Sequence, residues 1–489
     1  MTRSVRSILS SLLVAATVVG CSDDDNPTGN GNGNGNGEPG AAVLSSNITT
    51  NRTLHGDTVY TLSGFVKVTN GATLTIEPGT RIEGDFDVPG SSLFILRGSK
   101  IIAEGTVDEP IVFTSSRPVG QRLPGDWGGV VIVGNGIINR GDPTNIEGTG
   151  TGPENPLENY AGGTDNADNS GILRYVRIEF AGFPIAPNNE LNALTLAAVG
   201  SGTVVDYVQV LLGLDDSFEF FGGAVNAAHL VSYESGDDHF DMSEGYVGRV
   251  QYAIGFQSFQ PEPRPGLSGG VASDPQLVEN DGCQASNCAN AASQNDSQPY
   301  TVPVFANFTL VGAPPGAWET SSGNVGMMLR RGVGGLYVNG VVARHSRAGI
   351  SLRGDTTNER MSDGLLAVRN LYVSEIGGDA TFQSGDAPGT GGNAQYSLDL
   401  AENGITPGTT PASTLFAALP ANSATATAAS FDWRPAAGSP IATGGLTSFT
   451  SLPAPLQIAV GAISGSAYRG AAEPGGAQWW AGWTYYARN

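Results

Sequence analysis

Asp215-Asp216-Ser217-Phe218-Glu219 returns 22 residues later as Asp237-Asp238-His239-Phe240-Asp241. Arg331-Gly332 returns as Arg353-Gly354 at the same interval. Tyr175-Val176-Arg177-Ile178 returns as Tyr207-Val208-Gln209-Val210 at a wider interval, which is one such turn lengthened by a loop around GFPIAPNNE. A fixed interval of roughly 20 to 50 residues marks a repeat architecture. About 22 residues hold three short strands and three bends, one rung of a right-handed parallel β-helix. Successive rungs of such a solenoid hydrogen-bond at a spacing of about 4.8 Å. Stacking then sets Phe218 on Phe240 inside the coil and Val208 near Leu230.

The rest of the chain agrees with an all-β solenoid. Glycine is frequent (70 residues), charged residues make up only 14%, and no long stretch has a helical period. Short apolar alternations such as TLTIEPGTRI, LRYVRIEFAG and FANFTLVG are broken by Gly, Asn and Asp turns. A propeller blade needs about 40 to 50 residues, an interval that is absent, and a sandwich needs tight hairpins between neighbouring strands. Two long polar insertions, residues 140–170 and 257–300, interrupt the coil. The rungs fade after about residue 385. An open coil end exposes unpaired strand edges, so the aromatic-rich C-terminus is expected to serve as an end cap.

The N-terminus reads as a targeting device. Arg3 and Arg6 precede the apolar run ILSSLLVAATVV at residues 8–19, which is too short to span a bilayer. Val18-Val19-Gly20-Cys21 resembles a lipobox, which implies cleavage before Cys21 and its acylation. The following Gly-Asn repeats make a flexible tether, and Ser22-Asp23-Asp24-Asp25 resembles the export signal of some surface lipoproteins. The expected organisation is a signal peptide (1–20), a tether (21–41), a parallel β-helix (42–385) and a C-terminal irregular region with the cap (386–489). The expected location is the outer membrane, lipid-anchored and facing the cell surface, with the periplasmic face as the alternative. A net charge of −22 and only two lysines, Lys67 and Lys100, argue against nucleic acid as a partner. Cys283 and Cys288, close together in a polar stretch, are expected to form a disulfide in an oxidising exterior.

GTRIEGD, GDWGGVVIVGN, GGTDNADNSGILRYVRIEFAG, GDDHFD and the ending YRGA…WWAGWT resemble a family of exported right-handed parallel β-helix lipoproteins of Gram-negative bacteria. The resemblance covers residues 45–489. It implies fold and location, and no activity.

Chemistry is expected at the acid cluster on the two matching rungs. With Phe218 and Phe220 inward, alternation turns Asp215, Ser217 and Glu219 outward, followed by Asp237, His239 and Asp241 on the next rung. Two outward columns result, Asp215/Asp237 and Glu219/Asp241. Carboxylates this close repel, and a Ca²⁺ held by Asp215, Glu219, Asp237 and Asp241 would relieve them. Asp216 and Asp238 also fit a corner role, since Asp accepts backbone N–H bonds in turns. Parallel β-helices host pectate-type lyases and polygalacturonase-like hydrolases, which use acids of this kind. Asp215, Asp237, Asp238, Glu219 and Asp241 are the candidate catalytic set of such an enzyme. The Gly-His-Gly and Arg-x-Lys of the hydrolases are absent, and the stacked arginine candidates Arg330, Arg331 and Arg353 lie far along the chain. The sequence therefore leans towards a non-catalytic surface lipoprotein with a binding, adhesive or structural role. It would bind glycan or another surface protein with bound calcium; the alternative is a polysaccharide lyase or glycoside hydrolase. Two further features have structural readings beside functional ones. Asp165, Asp168 and Asn169 read as turn residues or calcium ligands, and Trp479, Trp480, Trp483, Tyr485 and Tyr486 as cap packing or sugar stacking.

Overall fold

A computed structural model describes residues 39–186, 189–318, 320, 323–377, 380–384 and 398–488. The signal peptide, Cys21 and most of the tether lie outside the described residues. The described residues form two long sheets of 17 and 10 strands whose pairings are parallel, plus two small antiparallel pairs. It is an all-β parallel β-helix.

One rung shows how the sequence makes the coil. Phe218–Phe221 lies in the smaller sheet and Asn226–Tyr233 in the larger. The next rung repeats this with Phe240–Ser243 and Arg249–Phe256. The register pairs Phe218 with Phe240, Glu219 with Asp241, and Val208 with Leu230. The Phe218 and Phe240 rings stack at 5.4 Å. One buried column runs through the smaller sheet as Val66, Leu93, Val130, Leu194, Phe218, Phe240, Val278, Met327 and Ile350. Burial of each such side chain contributes roughly 1.5–3 kcal/mol, so the column is a continuous source of stability along the coil.

The interval is less regular than the sequence suggests. Leu329 pairs with Leu352, a step longer by one than the interval that relates Arg331 to Arg353. The match between those arginines therefore does not mark stacked positions. Pro184–Ala186 and Asn189–Glu190 form a small hairpin within the GFPIAPNNE loop.

Five long strands of the larger sheet bend at a residue of positive φ, and on the next two rungs the bend falls between two short strands. The seven residues form a column: Tyr175, Tyr207, His229, Tyr252, Asn307, Asn339 and Asn370, with φ between 50° and 64°. Left-handed backbone costs a residue with a Cβ roughly 1–2 kcal/mol. The first four offset this by stacking their rings, with centroids 4.5, 4.2 and 5.0 Å apart. The asparagines tolerate the conformation and use their amides on the C-terminal segment. Asn307 Nδ2 donates to Ser466 Oγ (2.8 Å), Asn339 Oδ1 accepts from Leu446 N (2.6 Å) and Asn370 Nδ2 donates to Gly444 O (2.9 Å).

That segment does not sit over the open end of the coil, where a cap is expected from the sequence. It runs back along the flank, because the flank offers an apolar face of Tyr233, Ile254, Phe256 and Val311 against which its own aromatic residues pack. Trp483 meets Tyr175 and Tyr207 edge-on at 5.8 and 6.1 Å. Trp433 Nε1 donates to Tyr233 Oη (2.9 Å), and Tyr486 Oη donates to the buried Glu234 (2.5 Å). Trp480, Trp483 and Tyr486 are buried, which leaves them no face for a sugar.

Candidate acid site

Register alone brings the acids together. Locking Phe218 over Phe240 places Glu219 beside Asp241, and the same column continues to Glu279 on the next rung. At the preceding corner a ladder of side chains joins successive rungs. Asp216 N donates to Asn192 Oδ1 (3.2 Å), Asp238 N to Asp216 Oδ1 (2.9 Å), and Gln276 N to Asp238 Oδ1. Short polar side chains suit this position because they can bond the backbone of a neighbouring turn. Asp216 and Asp238 thus hold the corner with one oxygen while lining a cavity.

The cavity has a volume of about 380 Å³. Asp215, Asp216, Glu219, Asp237, Asp238 and Asp241 line it together with Glu147, Glu190, Arg140 and Arg331. The insertions build its walls. Arg140 and Glu147 come from the first, and residues 282–285 from the second. Residues 268–274 enclose an adjoining cavity of about 400 Å³ that shares Glu190, Asp215 and Asp237. The disulfide joins Cys283 to Cys288, and Cys283 lines the acid cavity.

Ser217 and His239 do not face outward with the acids. Residues 215–217 and 237–239 form a corner rather than a strand, so strict alternation fails there. Both side chains are buried in an internal network. His239 Nδ1 lies 2.7 Å from Ser232 Oγ, which is 2.8 Å from Ser217 Oγ. Gln257 Oε1 accepts from His239 Nε2 (2.8 Å) and from Ser235 N (2.9 Å). Burial lowers the imidazole to about 4, so it is neutral and enclosed within that network.

The acids are unlike surface carboxylates. Burial, followed by repulsion from Glu147, raises Asp215 well above the usual range. Burial followed by Asp237 does so for Asp216, and burial followed by Asp241 for Glu219. Asp237, Asp238 and Asp241 are raised likewise, each by burial first. Glu147 is pushed up to about 7 by burial and Glu190. Arg330 at Asp237, and Arg330 with Arg331 at Asp241, offset this only in part, because each arginine is already held by a carboxylate. Arg330 pairs with Glu279 and with Asp281 (Nε to Oδ1, 2.8 Å), and Arg331 pairs with Asp281. Arg140 pairs with Glu244, whose other oxygen accepts from Tyr160 Oη at 2.5 Å.

This donor set fits a hard divalent cation. Oxygens of Asp215, Asp216 and Asp237 lie within 4.8 Å of one another, as do those of Asp216, Asp238 and Asp241. Glu219 Oε1 and Asp241 Oδ1 are buried without a hydrogen-bond partner. Calcium takes six to eight oxygens at about 2.3–2.6 Å, of which each trio offers three. Of the four residues the sequence assigns to a metal, Asp215 and Asp237 belong to the first trio and Asp241 to the second, with Glu219 alongside. The other candidate calcium ligands make turns instead. Asp165 Oδ1 accepts from Ala167 N, Asn169 Oδ1 from Gly171 N, and Asp168 Oδ2 from Asn135 N, at 2.8, 2.8 and 3.1 Å.

Sequence reasoning missed Glu147, Glu190, Glu279, Asp281 and Arg140, and it set Arg331 aside as too far along the chain, although Arg331 lines the cavity. The available signal was the acid column: Val278–Asp281 continues Glu219 and Asp241 with Glu279, although a full strand and half of the second insertion separate Phe240 from Val278.

No curated protein matches the sequence. A solved structure of pectate lyase Pel9A is similar at 13% identity, with 83% of this chain and 89% of that one covered and a TM-score of 0.40. Residues 46–410 match the family described as pectate-lyase like beta helix domain. The match spans the coil from its first rung to the strand at Thr406–Gly408 and includes the acid cavity; this chain belongs to the pectate-lyase-like β-helix domain family.

Proposed function

We propose that the protein binds an acidic glycan through a divalent cation, calcium by its chemistry, held in the acid cavity, and that it does so without cleaving the glycan. One observation carries the reading: six carboxylates converge in one cavity where Glu219 and Asp241 each keep a buried oxygen without a partner. Such an array repels a free anion and attracts one bridged by metal. Bound cation would supply charge neutralisation and open coordination positions for ligand oxygens. The chain's own residues would hold it and wall the ligand.

The pairing of Arg331 favours binding over cleavage. Arg331 lines the cavity but is held by Asp281, and an arginine paired to a carboxylate is a poor proton acceptor. The second reading, a polysaccharide lyase, is favoured by that same proximity of Arg331 to the acids. Polygalacturonate retention with calcium, compared with chelator and with a neutral glycan, tests the binding reading. Equal retention in all three would end it. Release of unsaturated ends, lost in Arg331→Ala, would replace it with the lyase.

The lipobox-like run at Cys21 supports a lipid anchor on the outer membrane. Labelled palmitate should enter the natural chain and not Cys21→Ser. Protease access on intact cells would separate the outer from the periplasmic face.

A further inference from the structure

We infer that the Cys283–Cys288 disulfide is a redox-controlled clasp between the two insertions, and that its reduction releases the stretch that carries Arg140 to the acid cavity. The inference is independent of what the cavity holds.

Asn287, inside the loop that the disulfide closes, makes the contact. Its Oδ1 accepts from Arg140 Nε (2.9 Å). Gly141 O (3.2 Å), Pro143 O (3.1 Å) and Thr144 Oγ1 (3.0 Å) share the two hydrogens of its Nδ2. Its backbone O accepts from Gly141 N (2.7 Å). Beside it, Ala289 N donates to Asn139 O (2.9 Å), and Cys288 forms an antiparallel bridge with Arg140. One short loop thus holds residues 139–144. Arg140 is gripped twice, by Asn287 and by Glu244 of the coil.

The later part of the first insertion is anchored without that loop. Lys67 pairs with Glu158 (2.5 Å), and Arg97 Nη2 donates to Tyr160 O and Ala161 O (2.6 and 2.9 Å). Ile146, Tyr160 and Ala161 pack in an apolar cluster with Phe94 and Val131 of the coil. Release at Asn287 would therefore be local.

Covalent closure makes the clasp conditional. Gln284 and Ser286 are exposed, so apolar packing does little to hold the shape of the loop. Opening the cross-link returns conformational freedom to the loop, and Asn287 must then be ordered at the expense of its own bonds. The step is exchange with a dithiol. Its thiolate attacks one sulfur and displaces the other, and its second thiol then breaks the mixed disulfide. Two electrons and two protons pass to the protein, which leaves Cys283 and Cys288 as thiols and the dithiol as a cyclic disulfide. Cys283 lines the acid cavity, which gives a small dithiol a route to the bond. An oxidising compartment fastens the clasp again.

Hydrogen exchange of the full mature chain, oxidised and after dithiothreitol, tests this. Reduction should quicken exchange in 139–144 and 283–289 by about tenfold or more, with 146–161 and the coil strands changed by less than about twofold. Reoxidation should restore the slow rates. Asn287→Ala, with its disulfide intact, should free 139–144 to the same extent. Unchanged exchange at 139–144 in the reduced chain would overturn the inference, as would a folded chain whose disulfide dithiothreitol does not open. Equal acceleration in the coil strands would make the bond a staple of global stability and overturn it too. Protection of 139–144 that survives in folded Asn287→Ala would do the same. The comparison on the natural chain decides the matter even if the variant does not fold.

Discussion

Replacing Asp241 by Asn should stabilise the protein in chelator and weaken its response to calcium, so the sign of the effect depends on the cation. Glu219 and Asp241 are register partners on adjacent rungs, which lie about 4.8 Å apart. Two unit charges at that separation repel by about 3 kcal/mol in an effective dielectric near 20. Protonation already relieves part of this, because burial and the neighbouring acids raise both groups. The net gain from the amide in chelator is therefore about 1–2 kcal/mol. Roughly 450 residues unfold with about 1 kcal/mol/K of entropy, so Tm should rise by about 1–2 °C. Calcium at about a hundredfold over Kd adds about 2.7 kcal/mol, or about 3 °C, to the natural chain. The variant, short of a ligand, should gain about 1 °C or less, and the two melting curves should exchange order. Differential scanning calorimetry in chelator and in calcium measures all four values. If Asp241→Asn melts lower than the natural chain in chelator, Asp241 is a structural hydrogen-bonding group and the reasoning from uncompensated charge is wrong.

Other perturbations test separate parts of the structure. The raised carboxyls hold protons in the folded state that the unfolded chain releases, so stability in chelator should be highest near the unfolded carboxylate value of about 4. It should decline as pH rises through about 6 for Asp281 and about 7 for Glu147; calcium should flatten that decline, and a rise with pH in chelator would refute it. Phe218→Ala removes a ring from the buried column and should cost about 3–5 kcal/mol in denaturant unfolding. Asn339→Ala combines left-handed strain with the loss of bonds to Leu446 and Ser466, and should cost about 2–4 kcal/mol, with protection from hydrogen exchange lost first in residues 440–470.

The coil was legible because Asp-Asp-x-Phe-acid recurs on two uninterrupted rungs, where equal intervals mean stacked positions. The disulfide was legible because its cysteines are close in sequence. Insertions hid the rest. Glu279 belongs to the same acid column, but a long run of corner and insertion separates its strand from the preceding one. Arg331 and Arg353 misled for the converse reason: their interval matches the repeat, while the actual step from Leu329 to Leu352 is longer by one. His239 fell on the acid face in the sequence reading because alternation was carried through a corner, where backbone direction changes and the period of two no longer holds. The rail of Tyr, His and Asn bends has no local signature beyond isolated residues of a type that tolerates positive φ, and its role emerges only with the distant segment that it holds.

That rail implies an order of assembly. Each rung can use the one before it as a template, so the coil can lengthen while the chain is still being delivered. The flank of aromatic side chains between Tyr175 and Phe256 stays uncovered until residues 412–488 arrive, long after the rungs they cover. A chain interrupted before that point would carry a sticky open side on an otherwise finished solenoid. This closing segment therefore acts as a seal of completion, separating a mature molecule from one that aggregates.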